Sequence, residues 1–147
     1  MTPWRRVGCA VDFSEASRAA LESAAGLAAA LGAELLLIHA SEERAAAGPA
    51  VIFAPPPIST HPERHESELK AWVLEAERLG AATVRSAMIR GRPAAAIARF
   101  AAEEGLDVVV VASHGHGGLR QLVVGSVTEE LVRVAPCPVL VVRGPKV

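Results

Sequence analysis

Five short apolar runs divide the chain, and between most of them small apolar residues recur at helical spacing. Arg6 to Val11, Glu34 to Ala40 (ELLLIHA), Ala82 to Ile89, Asp107 to Ala112 (DVVVVA) and Val139 to Arg143 (VLVVR) predict strands. The second and fourth are apolar at consecutive positions, as in strands covered on both faces. Ala82 to Ile89 is more polar and suits a sheet edge. Ser14 to Leu31 predicts an alanine-rich helix closed by Gly32. Thr60 with Glu63 forms a capping box for a helix to about Leu79. Pro93 stands in the first turn of a helix that Gly105 ends, and a last helix spans Ser126 to about Val134. Ser41 to Ser59, with Gly48, Pro49 and Pro55-Pro56-Pro57, and the glycine-rich Ser113 to Gly125 are loops.

Strict alternation of strand and helix implies an α/β fold: an open, doubly wound, parallel five-stranded sheet with helices on both faces, Rossmann-like. Right-handed crossovers and a buried first strand lead to the order 3-2-1-4-5. We find no repeat and no boundary, so residues 1–147 are expected to form one domain. The crevice of such a sheet opens at the carboxyl ends of strands one and four. Asp12 ends the first strand; Ser113 and Gly115 follow the fourth.

Composition narrows the class of function. Hydrophobic residues make up 51% of the chain and charged residues 21%, the balance of a folded domain rather than a disordered tail. The net charge of −1 leaves no electrostatic footprint for nucleic acid or anionic lipid. No apolar run approaches the ~20 residues of a membrane span, and no signal peptide opens the chain, so a cytoplasmic location is expected. Cys9 and Cys137 lie in apolar runs without a C-x-x-C pattern and read as reduced thiols.

The chemistry concentrates in Ala112-Ser-His-Gly115-His-Gly117-Gly118 and, further on, Gly125-Ser126-Val-Thr128. Glycines let a loop turn successive backbone N–H groups toward an anion, and a helix N-terminus adds its dipole. Ser126 with Glu129 also matches an S-x-x-E capping box, under which the serine only caps its helix. His61 and His65 begin a polar helix without a third ligand and read as solvated surface. His39 reads as a satisfied core histidine. His114 and His116 lie in the loop, where either a phosphate contact or an acid–base role is open to them, and Arg120 is placed to reach either solvent or phosphate. Asp107 and Glu103 read as surface charges. There is no Walker A motif, no G-x-G-x-x-G, no kinase signature and no nucleophile–base pair, so efficient hydrolysis is not expected.

Val109 through Arg143, ending GSVTEELVRVAPCPVLVVR, resembles the C-terminal half of the universal stress protein family. Val11-Asp12-Phe13-Ser14-Glu15-Ala16-Ser17 is similar to its opening strand and turn. The nucleotide-binding branch carries G-x2-G-x9-G-[S/T], which aligns here as Ala112-x2-Gly115-x9-Gly125-Ser126. The resemblance implies a site for ATP, or for ADP or AMP, with Mg²⁺ able to accompany ATP. Asp12 would contact the ribose, and Ala10, Ala40 and Val111 would line the adenine pocket. Ala112 and Gly115 would approach ribose and phosphates by backbone; Gly125, Ser126 and Val127 would hold phosphate. The departure is Ala112, where the family has glycine: its methyl matters if that residue needs a positive φ or if ligand occupies the methyl's place. The resemblance further implies a homodimer through Val139 to Arg143, which would also cover an apolar edge strand. A dimeric stress-response module whose nucleotide biases its partners is the expectation. The alternatives are a nucleotide-independent interaction module using Ser41 to Ser59, and a weak ATPase.

Overall fold

In chain order the elements are β1 (Arg6–Ala10), α1 (Glu15–Leu31), β2 (Glu34–Ser41), α2 (Pro62–Arg78), β3 (Thr83–Arg90), α3 (Pro93–Glu104), β4 (Val108–Ala112), α4 (Ser126–Val134) and β5 (Val139–Val142). The computed structural model describes residues 2–42, 62–114 and 124–144. Most of the Ser41–Ser59 loop, the Thr60 half of the capping box, and His61, Gly115, His116, Gly117, Gly118 and Arg120 lie outside the described residues.

All pairings are parallel and the strand order is β3-β2-β1-β4-β5, as the alternation of elements requires. The pleat explains the unbroken apolar runs. Leu35, Leu37, Val108 and Val110 face α1 and α2; Leu36, Ile38, Val109 and Val111 face α3 and α4. Each face therefore receives alternate residues of the same strand. On the first face the partners are Ala20, Leu21, Ala24 and Ala25 of α1 with Leu69 and Trp72 of α2; on the second, Ala94 and Ile97 of α3 with Leu131 of α4. Fully burying one such Leu, Ile or Val contributes roughly 1.5–3 kcal/mol. The small residues of α1 allow the helix to lie close to the sheet.

Local signals set the helix ends. The Ser14 hydroxyl accepts from the Ser17 N–H at 3.1 Å and caps α1. Gly32 and Gly105 end α1 and α3 at φ 63° and 61°, a left-handed turn open to glycine. Asp107 does more than the surface role expected of it. Its Oδ2 accepts the Arg5 N–H at 2.8 Å and the Arg6 N–H at 2.9 Å, fastening the start of β1 beside the start of β4. Glu103 remains a surface charge, paired with Arg99 one helical turn away.

Candidate functional site

β1 sends its chain to β2 on one side, while β4 lies on its other side, so the topological switch falls between β1 and β4. At this mouth β1 runs into the sequence Val11-Asp12-Phe13-Ser14. Asp12 is held by its surroundings: its backbone N–H donates to the Ser17 hydroxyl at 3.0 Å, and its Oδ1 accepts from the Ser14 N–H at 3.0 Å and the Ser14 hydroxyl at 2.5 Å. Phe13 takes φ 66°, the only positive φ among the described non-glycine residues. The turn therefore points its carboxylate while fixing the first turn of α1. The sequence signal for this clamp was the spacing Asp12-x-Ser14-x-x-Ser17.

At the same end of the sheet Ala10 and Ala40 are half-buried, whereas Val111 is 7% exposed. All three belong to the α3–α4 side. Ala112 does not join them: it is 6% exposed and its side chain packs in the core on the α1 side. Its φ is not positive. The extra methyl is thus absorbed by the core, away from the face that carries Ala10 and Ala40.

α4 begins beside the end of β4. The Gly125 N–H donates to the Ser113 carbonyl at 2.6 Å, and the Ser113 N–H donates to the Val142 carbonyl at 2.8 Å. The helical ladder opens with the Glu129 N–H donating to the Gly125 carbonyl at 2.9 Å. Gly125 is the N-cap, so the capping-box reading of Ser126 fails by one residue: Ser126 is the first helical residue. A glycine cap has no side chain to satisfy the N–H groups of the first turn, which have no intrahelical partners. Ser126 and Val127 are exposed there. Thr128, to which the sequence pattern assigns no role, is 3% exposed and its hydroxyl donates to the Ala112 carbonyl at 2.7 Å. This bond joins the first turn of α4 to the end of β4; a hydroxyl two residues after an exposed serine was its only signal. Glu129 adds an acidic group to the same turn.

His114 lies beside Ser113, with Nδ1 3.1 Å from the serine hydroxyl oxygen. Among the described residues no group of three or more His, Cys, Asp or Glu side chains is placed to hold a metal. No helix of the described residues is long and apolar enough to cross a membrane. His65 corrects the solvated-surface expectation: its Nδ1 is buried and its ring stands 4.8 Å from that of His39. Among the described residues His39 is satisfied at one nitrogen only, Nδ1 lying 2.9 Å from the Val11 carbonyl oxygen.

An open parallel sheet wound in both directions from a central first strand defines the class as Rossmann-like α/β domains. The sequence model of the Universal stress protein family matches residues 3–143, and the chain belongs to that family. Universal stress protein YxiE of Bacillus subtilis is 30% identical over 141 residues, covering 91% of this chain and 95% of that protein. Among solved structures, universal stress protein UspA from Lactobacillus plantarum superposes with a TM-score of 0.83 at 22% identity, over 97% of this chain and 100% of the other. A universal stress protein crystallised in complex with cAMP gives a TM-score of 0.75 at 23% identity, over 98% of this chain and 100% of the other. At such identities the two structures establish likeness of fold.

Proposed function

We propose that the chain binds an adenine nucleotide at the carboxyl ends of β1 and β4 and works as a dimeric stress-response module. The observation that carries this reading is the glycine-capped start of α4, which leaves first-turn N–H groups for a phosphate at the switch point. Donation falls to Ser126 and Val127, with the Ser126 hydroxyl, because the Gly125 N–H is engaged with Ser113. Gly125 serves instead as the bare corner past which phosphate approaches. The half-buried Ala10 and Ala40 leave an apolar surface suited to a flat base, with Val111 behind them. Asp12, held through Oδ1, is assigned to the ribose hydroxyls. The Ala112 methyl lies in the opposite core and so does not argue against the site. The cAMP complex of a relative supports the same ligand class. ATP, ADP and AMP all fit this chemistry, and Mg²⁺ would arrive with ATP. Gly115 remains part of the proposal through the motif alone.

The dimer is proposed through β5, the edge strand beside β4, on which Leu140 is 42% exposed. Pairing with a second copy would cover its open backbone groups and that side chain.

Calorimetric titration with ATP, ADP and AMP tests the nucleotide reading, alongside mass spectrometry of protein denatured directly after purification. A co-purifying adenine nucleotide and saturable binding are expected. Absence of binding at millimolar ligand would reject the reading. A Cβ at Gly125 would lie 3.4 Å from both the His114 Cα and the Ser113 carbonyl oxygen. Gly125→Val is therefore expected to lose binding while the far-ultraviolet circular dichroism persists.

A further inference from the structure

A second polar cluster lies on the α1–α2 side of the sheet, behind the turn that presents Asp12. His39 is 7% exposed. Its Nδ1 faces the Val11 carbonyl, which can only accept, so the proton resides on Nδ1 and the neutral ring presents Nε2 as a bare lone pair. That Nε2 is buried without a hydrogen-bond partner among the described residues, and so is Nδ1 of His65. The two rings meet edge-on, with centroids 4.8 Å apart. Phe13 joins both: its centroid is 4.7 Å from that of His39 and 5.7 Å from that of His65, and Trp72 meets it edge-on at 5.3 Å. Two unmatched nitrogens inside one aromatic contact call for an explanation beyond packing.

We propose that His39 and His65 form a proton-operated latch between α2 and the Asp12 turn: with His39 neutral, the pair holds the turn in its binding shape; with His39 protonated, it releases α2 and weakens the nucleotide site. This rests on the nucleotide reading above. The connection is short in covalent terms. His39 bonds the peptide carbonyl immediately before Asp12, and Phe13, immediately after it, is packed by both imidazoles. Phe13 holds a left-handed backbone that costs energy for any residue with a side chain, so it needs those contacts to persist.

Protonating Nε2 would place a cation, and an N–H without an acceptor among the described residues, beside Phe13. Burial holds the His39 imidazole below the usual histidine range; the Val11 carbonyl opposes this, the facing His65 reinforces it, and the Asp12 and Glu68 carboxylates oppose it. Further charges on neighbouring elements are Arg18 of α1, whose guanidinium lies 5.0 Å from the Trp72 ring centre, and Arg90, which ends β3 on the strand face shared with His39. With the docked value lowered, the docked state binds fewer protons than the released one. Docking is complete above about pH 6.5, the ordinary histidine value, and is lost as the pH falls below it.

The test compares ATP affinity of the full chain and of His65→Gln between pH 8 and 5.5. Wild type is expected to lose up to about tenfold more affinity than the variant, the limit set by one proton taken up between about pH 6.5 and 5.5. Protonation of ATP itself cancels in the ratio. A ligand-free readout accompanies it: imidazole titration by nuclear magnetic resonance, and Trp72 fluorescence in a Trp4→Phe background. His39 is expected to titrate below the usual range, with a Trp72 transition at the same midpoint that His65→Gln removes. Matching pH profiles in wild type and variant would overturn the latch and leave the nucleotide site standing. Absence of ATP binding at every pH in both proteins would remove the nucleotide reading and the latch's output with it, while the Trp72 transition would still report whether α2 lets go. A wild-type His39 titrating at or above the ordinary value would overturn the latch whatever the ligand does.

Discussion

The Thr128 hydroxyl reaches the Ala112 carbonyl at 2.7 Å from sixteen positions along the chain, both residues being buried. It ties the helix that carries the proposed phosphate donors to the strand beside β1. Thr128→Val keeps the volume and removes the donor. Loss of this buried bond is expected to cost about 1–2 kcal/mol in urea denaturation. The same variant should weaken nucleotide binding, since the first turn of α4 loses its anchor. An unchanged denaturation midpoint would show that water replaces the bond.

Phe13 offers a test in which glycine should outperform alanine. Both substitutions remove the ring from the His39, His65 and Trp72 contacts. Only alanine keeps a Cβ in the left-handed region, at φ 66°. Phe13→Gly should therefore retain about 1 kcal/mol more stability than Phe13→Ala. The reverse ranking, measured by the same denaturation, would mean that the turn relaxes to negative φ when the ring is lost.

The two thiols should separate cleanly by reagent. Burial pushes the Cys9 thiol up to about 12, so at pH 8 it holds almost no thiolate and lies out of reach within the core. Cys137 is partly exposed; burial, then the Asp107 carboxylate, raises its thiol too. A native labelling experiment with iodoacetamide is expected to modify Cys137 slowly and leave Cys9 intact, while denatured protein takes up label at both. Peptide mapping that finds Cys9 modified in the folded protein would contradict this.

Leu140 tests the proposed assembly. Leu140→Lys places a charge on the exposed face of the edge strand β5. The expected outcome in light scattering after size exclusion is a shift from dimer to monomer with the circular dichroism unchanged. A wild-type monomer at micromolar concentration would remove the dimer from the proposal.

The sheet order was legible because strand–helix alternation with right-handed crossovers around a buried first strand leaves few windings, and because β2 and β4 are apolar at consecutive positions while the edge strand β3 is not. Gly32 and Gly105 likewise announced their helix ends. The site was legible as a segment, not in detail. Gly125 rather than Ser126 caps α4: the Gly125 N–H is taken by the Ser113 carbonyl at the end of β4, which puts the cap one residue before the serine. His65 was misjudged since a polar helix such as α2 gives little indication of which residues turn inward. Its inward position is set by Phe13, fifty-two positions earlier, through a contact that no local pattern encodes. Asp107 reads in the sequence as a surface charge for the same reason, its partners Arg5 and Arg6 being about a hundred positions away.

That last contact bears on how the chain is made. β1 is synthesised first yet occupies the middle of the sheet, flanked on one side by β4, which emerges from the ribosome roughly a hundred residues later. Until then one edge of β1 stays open, and β1 with β2 is an incomplete half-sheet exposing apolar side chains. That edge is covered only when β4 pairs with β1, beside which Asp107 holds the amides of Arg5 and Arg6. Folding should therefore be slow for a domain of this size, and completed only after most of the chain has been translated.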